Sequence, residues 1–150
     1  MLKTTNKKTK NSSILEDLIG DWNLERFYDN GAKVLGTANF KKIKANEFEY
    51  SETGVMILAD GKKMMCTRKY IYKPSLAGFE VYFFENPKKL FQKITLTKEK
   101  NGSLGAKATH YCSKDVYSSS YKFLNNKHFE ITHVVNGPKK KYTSKGVFKK

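Results

Sequence analysis

The side chains best suited to recognising an anion are the two arginines of the chain. Lys and Arg together number 29, and only Arg26 and Arg68 are arginine. A guanidinium keeps its charge and presents five donors in a planar fork, which matches carboxylate and phosphate groups. Side chains alternate between the two faces of a strand, so Arg26 shares a face with Trp22, and Arg68 with Tyr70. The pattern therefore predicts that both arginines point into the core.

The same alternation predicts further polar and aromatic side chains on inward faces. They are Tyr28, Tyr50, Glu52, Met64, Cys66, Leu90, Gln92, His110, Cys112, Tyr117, His133 and Tyr142. Buried charges are costly unless they are paired. Two interpretations follow. In the first, Arg26 or Arg68 forms an internal ion pair with Glu52, completed by tyrosine hydroxyls. In the second, these groups line a ligand cavity. The predicted ligand-binding residues are Trp22, Arg26, Tyr50, Glu52, Arg68, Tyr70, His110, Cys112, Tyr117, His133 and Tyr142.

A catalytic role is the alternative interpretation of the inward histidines. His110 is the candidate general acid or base, with Glu52 or Asp115 near it to tune its proton affinity and the arginines to stabilise negative charge. An isomerase, cyclase or hydrolase step would suit such a site. Cys112 shares a strand face with His110, and a small buried thiol filling the core is its simplest interpretation. The spacing of His110, Cys112 and Asp115 matches no zinc pattern, so neither a metal nor a cofactor is predicted.

The elements that must position these groups are short strands separated by hairpin turns. Residues 12–18 form a short amphipathic helix that ends at Gly20 and is suited to plugging the end of a barrel. Period-two segments follow at about 21–29, 33–43, 47–52, 55–59, 62–73, 78–85, 90–97, 104–113, 116–124, 128–136 and 141–149. Thr53-Gly54 is taken as one of the turns between them. The sequence predicts an all-β fold, a single antiparallel up-and-down β-barrel of about ten strands spanning residues 12–150.

Charge is concentrated at the two ends of the chain. The formal net charge is +15, and residues 1–11 and 139–150 contain lysines without any acidic residue. Residues 1–11 are predicted to be a disordered basic arm without the apolar region of a secretory signal. Lysine-rich termini predict at most weak, nonspecific binding of a polyanion. No apolar run is long enough to cross a bilayer, no membrane partner is predicted, and two cysteines are most simply reduced thiols in the cytoplasm.

Five short motifs together resemble a known family. They are Gly20-x-Trp22-x-Leu24-x-Arg26, Tyr50-x-Glu52-x-Gly54, Arg68-x-Tyr70, His110-x-Cys112-x-x-Asp115-x-Tyr117 and Gly137-Pro138-x-Lys140-x-Tyr142. In this order they resemble a family of small bacterial and fungal proteins classed as domain of unknown function 6314, over about residues 18–149. The resemblance implies a lipocalin-like or calycin-like architecture and no established activity. The resemblance also includes Asp115 and Lys140, in addition to the residues that the alternation of side chains selects.

Three functional hypotheses follow. The first is an intracellular barrel that binds a small anionic or polar ligand, with Arg26 and Arg68 holding the anion and aromatic side chains lining the cavity. The second is a barrel enzyme using His110. The third is a polyanion-associated protein that acts through its basic termini.

Overall fold

The barrel consists of eleven strands in the computed structural model, which describes residues 14–150. The strands are β1 (Gly20–Tyr28), β2 (Lys33–Lys44), β3 (Glu47–Ile57), β4 (Lys63–Ser75), β5 (Gly78–Phe83), β6 (Leu90–Thr95), β7 (Thr97–Lys98), β8 (Leu104–Cys112), β9 (Asp115–Asn125), β10 (His128–Asn136) and β11 (Lys141–Lys149). A single helical segment over residues 14–18 precedes them within the described part. The predicted basic arm, residues 1–11, lies outside the described residues.

Neighbouring strands pair in chain order. One antiparallel sheet has the order β6-β5-β4-β3-β2-β1-β11-β10-β9-β8-β7, so the pairing of β1 with β11 joins the two halves of the chain. β6 then lies against β8, with no backbone ladder between them. The result is a nearly closed barrel, and the predicted all-β, up-and-down fold is confirmed. The place where β6 meets β8 is called the seam below.

The predicted turn at Thr53-Gly54 is wrong. β3 runs without a break through both residues, and Gly54 lies directly opposite Gly36 of β2. A Cβ atom on Gly36 would collide with the Thr53 carbonyl oxygen. The glycines therefore serve the close approach of two strands and not a chain reversal.

Three residues predicted to point inward are exposed. Met64 is 51% exposed near the start of β4, and Cys112 is exposed at the end of β8, because both lie at strand ends with little packed against them. Leu90 is 46% exposed because a bulge between β5 and β6 shifts the alternation. Phe91 and Gln92 are both buried as a result.

The helix closes one end of the barrel, as its amphipathic pattern predicts. Leu15 and Leu18 are buried there with Trp22, and the Trp22 indole Nε1 donates a hydrogen bond of 2.8 Å to the Leu18 carbonyl oxygen. Trp22 also packs edge-on against Phe129, at 4.8 Å between ring centroids. The turns at residues 29–32, 58–62, 113–114 and 137–140 lie at the opposite end. That second end is called the open end below.

Within residues 14–150, no helical segment is long and apolar enough to cross a bilayer.

We expect Leu15→Ala to destabilise the protein by about 2–5 kcal/mol, since it leaves a cavity under the helix. Leu76→Ala is the matched control because Leu76 is 79% exposed in a turn at the same end. Urea unfolding followed by circular dichroism measures both. Equal, small losses would show that the helix does not close the core.

Candidate functional site

A buried ion pair occupies the middle of the barrel. Arg26 of β1 is 4% exposed and Glu52 of β3 is 7% exposed. Arg26 Nη1 donates to Glu52 Oε1 at 2.9 Å, and Arg26 Nη2 donates to Glu52 Oε2 at 2.7 Å. Each charge is therefore matched by a planar two-bond contact in a place where neither could stand alone.

Tyr50 completes this group from the same strand as Glu52. Its hydroxyl donates to Glu52 Oε2. Burial raises the pKa of the Tyr50 hydroxyl well above its ordinary value, and the Glu52 charge raises it further, so Tyr50 stays a donor. Burial also acts to raise the pKa of the Glu52 carboxyl, but the hydrogen bonds and charge of Arg26 outweigh it and hold that pKa below its ordinary value. Glu52 is thus a carboxylate at neutral pH.

Arg68 is the second arginine of the interior and has no such partner. It lies directly opposite Glu52 in the ladder between β3 and β4. Within residues 14–150 its guanidinium forms no ion pair, and its one side-chain hydrogen bond runs from Nη2 to the Tyr28 hydroxyl at 3.2 Å. Arg68 and Tyr28 are both partly exposed. The fork of Arg68 therefore retains donors that water or a solute can reach.

His133 borders the two arginines from β10. Its Nδ1 lies 2.7 Å from Ser119 Oγ of β9. Burial and the positive charges of Arg68 and Arg26 lower the pKa of His133 to about 4. His133 is neutral at pH 7, so its tautomer decides whether Nδ1 accepts from the Ser119 hydroxyl or donates to it.

A cavity of about 20 Å³ lies among these groups. Its walls comprise Arg26, Tyr50, Glu52, Arg68, Tyr70, Tyr72, Val81, Phe91, Tyr121, Ile131 and His133. That volume is enough for about one water molecule. The interior is therefore a filled polar network with little free space.

Aromatic rings separate this network from the open end near the seam. Tyr70 and Phe91 stack with 5.8 Å between centroids, and Phe91 meets the His110 ring edge-on at 5.1 Å. Phe83 lies 4.8 Å from Phe91, and Tyr117 lies 6.3 Å from His110. Sequence reasoning does not select Phe83 or Phe91, since the bulge that turns Phe91 inward has no signal in the alternation.

His110 has no hydrogen-bond partner among the side chains of residues 14–150. A general base needs a group that fixes its tautomer and direction. Glu52 is engaged by Arg26, and Asp115 lies opposite Cys112, two residues further along β8. The catalytic role of His110 stays a prediction, and the contacts of its ring are aromatic.

The rim of the open end contains the remaining candidates. Tyr142 lies 5.8 Å from Tyr28, ring to ring, and burial raises its pKa. Lys140 donates a hydrogen bond of 3.2 Å to the Tyr117 hydroxyl. Cys112 is exposed at this rim, so it is not the buried filler that the sequence suggests.

The predicted site residues thus fall into three groups. Arg26, Tyr50, Glu52, Arg68, Tyr70 and His133 come together around the small cavity. His110 and Tyr117 lie between that group and the rim, and Tyr142 and Cys112 lie on the rim itself. Trp22 belongs to the closed end with Leu18 and is separate from both. In residues 14–150, no three His, Cys, Asp or Glu side chains are placed to hold a metal ion.

Comparison with protein families gives one match, to a family of unknown function designated DUF6314, over residues 18–150. The chain belongs to this family. No curated protein matches the chain.

Solved structures share its fold at low sequence identity. The S-type phycobiliprotein lyase CPES from Guillardia theta matches with a TM-score of 0.63 and 8% identity, covering 93% of this chain and 91% of the lyase. A redesigned β-barrel, mFAP0, bound to DFHBI matches with a TM-score of 0.44 and 10% identity, covering 89% of this chain and 99% of the design. The lyase match shows that this member of DUF6314 has a barrel fold already known in solved structures.

We expect Glu52→Gln to destabilise the protein by about 3–5 kcal/mol, because Arg26 is left charged and buried without a partner. Glu16→Gln is the matched control, since Glu16 pairs with Lys42 at the surface, where both are 42% exposed; its loss should stay below about 1 kcal/mol. The double change of Arg26→Met and Glu52→Leu should recover much of the stability. Chemical unfolding measures all three, and a Glu52→Gln loss no larger than that of Glu16→Gln would contradict the role given to the pair.

His133 predicts a pH dependence of stability. Its pKa falls from 6.5 to about 4 on folding, so the unfolded chain binds more protons between these values. Protonation of His133 therefore does not change the free energy of unfolding above pH 6.5, and it lowers that free energy as the pH falls from 6.5 toward 4. We expect unfolding at pH 7.0 and 4.5 to show a loss on the order of 2 kcal/mol larger in the wild type than in His133→Asn. Parallel pH curves for the two proteins would refute this assignment.

Proposed function

We propose that this protein binds a small anionic ligand that has a planar ring, and that the ligand enters at the open end of the barrel. The free fork of Arg68 carries the proposal. Arg26 is fully engaged by Glu52, whereas Arg68 has one weak bond to Tyr28 and no carboxylate partner in residues 14–150. A partly exposed guanidinium with unused donors suits a carboxylate or phosphate.

The electrostatics of the interior favour an anion. Two arginines face one glutamate, and His133 is neutral, so the group around the cavity has a net positive charge. The positive charge of Arg68 also acts to lower the pKa of Tyr70 and of Tyr142, although burial keeps both raised. An incoming anion therefore meets a positive potential that ends at Arg68.

The aromatic side chains near the open end favour a ligand with a flat ring over one with an aliphatic chain. Tyr70, Phe83, Phe91, His110 and Tyr117 pack with their rings stacked, tilted or edge-on. Aromatic rings gain more from such arrangements than from their buried area alone. A planar ring can join this group, and Lys140 at the rim adds a second positive charge beside Tyr117.

The proposal includes a location of this protein in the cytoplasm. Cys66 and Cys112 are both free thiols, and a reducing compartment keeps them so. The lyase from Guillardia theta supports the barrel architecture that holds these side chains, and the assignment of a ligand rests on the residues of this chain.

Benzoate is the test probe, because it unites a carboxylate with a flat ring. Arg68→Gln and Lys69→Gln each remove one positive charge from neighbouring positions of β4, but Arg68 points into the barrel and Lys69 is exposed outside it. Isothermal titration should show at least about a tenfold weaker benzoate affinity for Arg68→Gln, equal to about 1.4 kcal/mol, and a change of less than about twofold for Lys69→Gln.

Cyclohexanecarboxylate serves as the control ligand, since it has the same charge without an aromatic ring. It should bind the wild type more weakly than benzoate. Equal weakening by Arg68→Gln and Lys69→Gln would mean that the protein attracts anions only through its overall charge. Absence of benzoate binding to the wild type would overturn the proposal.

A further inference from the structure

Gln92 is a buried amide that the fold does not satisfy. Gln92 is 2% exposed, and neither Nε2 nor Oε1 has a hydrogen-bond partner within residues 14–150. An amide without partners in the interior costs free energy, and Met or Leu would fill a similar volume without that cost. The position of Gln92 therefore calls for a role outside the protein's own hydrogen bonds.

Gln92 lies on the inner face of the barrel, beside the small cavity. It is directly opposite Val81 in the ladder between β5 and β6, and directly opposite residues share a face. Val81 and Phe91, the chain neighbour of Gln92, both border the cavity. Gln92 is thus next to two residues that line the cavity together with Arg68 and His133, one along the chain and one across the ladder.

The seam is the part of the wall beside Gln92 that no backbone ladder holds together. β6 carries Phe91 and Gln92, and it meets β8 without a backbone ladder. His110, on β8, contacts Phe91 across the seam through an edge-on ring contact. Widening the seam would break side-chain packing and no strand pairing, so a ring that displaced Phe91 would come next to Gln92.

We infer that Gln92 is a specificity-determining residue that binds an amide-like edge of the ligand. A carboxamide presents one donor and one acceptor side by side, and a cis-amide group, –NH–C(=O)–, is its complement. This inference rests on the proposed anion site and narrows its ligand to a planar heterocycle that has both an acidic group for Arg68 and a cis-amide edge for Gln92.

The test compares three probes. Orotate has a carboxylate and cis-amide edges on one flat ring, 1,3-dimethylorotate has the same charge and ring without amide N–H groups, and benzoate has the carboxylate alone. Gln92→Met removes the amide, and Lys93→Met changes the exposed neighbour on the same strand. Titration calorimetry gives the affinities, and thermal unfolding gives the stability of each free protein.

The wild type should bind orotate at least about tenfold more tightly than 1,3-dimethylorotate. Gln92→Met should abolish that preference, leave benzoate affinity within about twofold, and raise the Tm of the free protein by about 3 °C. Lys93→Met should change none of these quantities. A Tm that rises while a binding preference is lost separates recognition from a structural role, since a structural residue would lose both together.

Failure of this inference differs from failure of the anion site. An orotate preference that survives Gln92→Met, or a lowered Tm in that variant, overturns the role of Gln92 even where benzoate binding depends on Arg68. A preference that needs Gln92 but persists in Arg68→Gln supports the amide contact and overturns the anion site. Absence of orotate binding to the wild type overturns the inference.

Discussion

The ion pair between Arg26 and Glu52 is the contact on which the rest of the interior depends. It buries two full charges at the centre of a barrel whose other walls are aromatic, and it can do so because each oxygen of the carboxylate receives one arm of the guanidinium. Such a pair adds little net stability compared with apolar residues of the same volume. Its effect lies in geometry: it fixes where Tyr50 donates, and it leaves Arg68 without a carboxylate in the described chain.

The excess of positive charge around this ion pair affects the protonation states of the neighbouring side chains. Burial lowers the pKa of His133, and two guanidinium groups lower it further while one carboxylate opposes them, so the imidazole beside Ser119 is held neutral. The same surplus lies next to hydroxyls that burial keeps protonated, such as Tyr70. The group around the small cavity thus contains two guanidinium groups and one carboxylate, and the carboxylate is already engaged by Arg26, so the net charge of the group is positive.

The two ends of the barrel have different roles because they are built from different contacts. The closed end is a dry contact in which Leu15 and Leu18 cover the aromatic core beside Trp22. At the open end, inward-facing polar and aromatic side chains, among them Tyr28 and Tyr142, are partly exposed to water. The seam between β6 and β8 has no backbone ladder, and the aromatic rings around Phe91 and the unsatisfied Gln92 lie along it.

The sequence by itself determined the strand pattern and the inward faces of Arg26, Glu52 and Arg68, because period-two alternation is a local property of an extended chain. Tertiary structure decided which arginine pairs with Glu52. Arg68 lies directly opposite Glu52 in the β3–β4 ladder, yet the carboxylate binds Arg26 from β1. β1 and β3 flank β2 in the curved sheet, so their inward side chains meet over the inner face of β2. Likewise, the bulge that buries Phe91 beside Gln92 and the contact of Gly36 with Gly54 arise between strands, so no pattern within one strand predicts them.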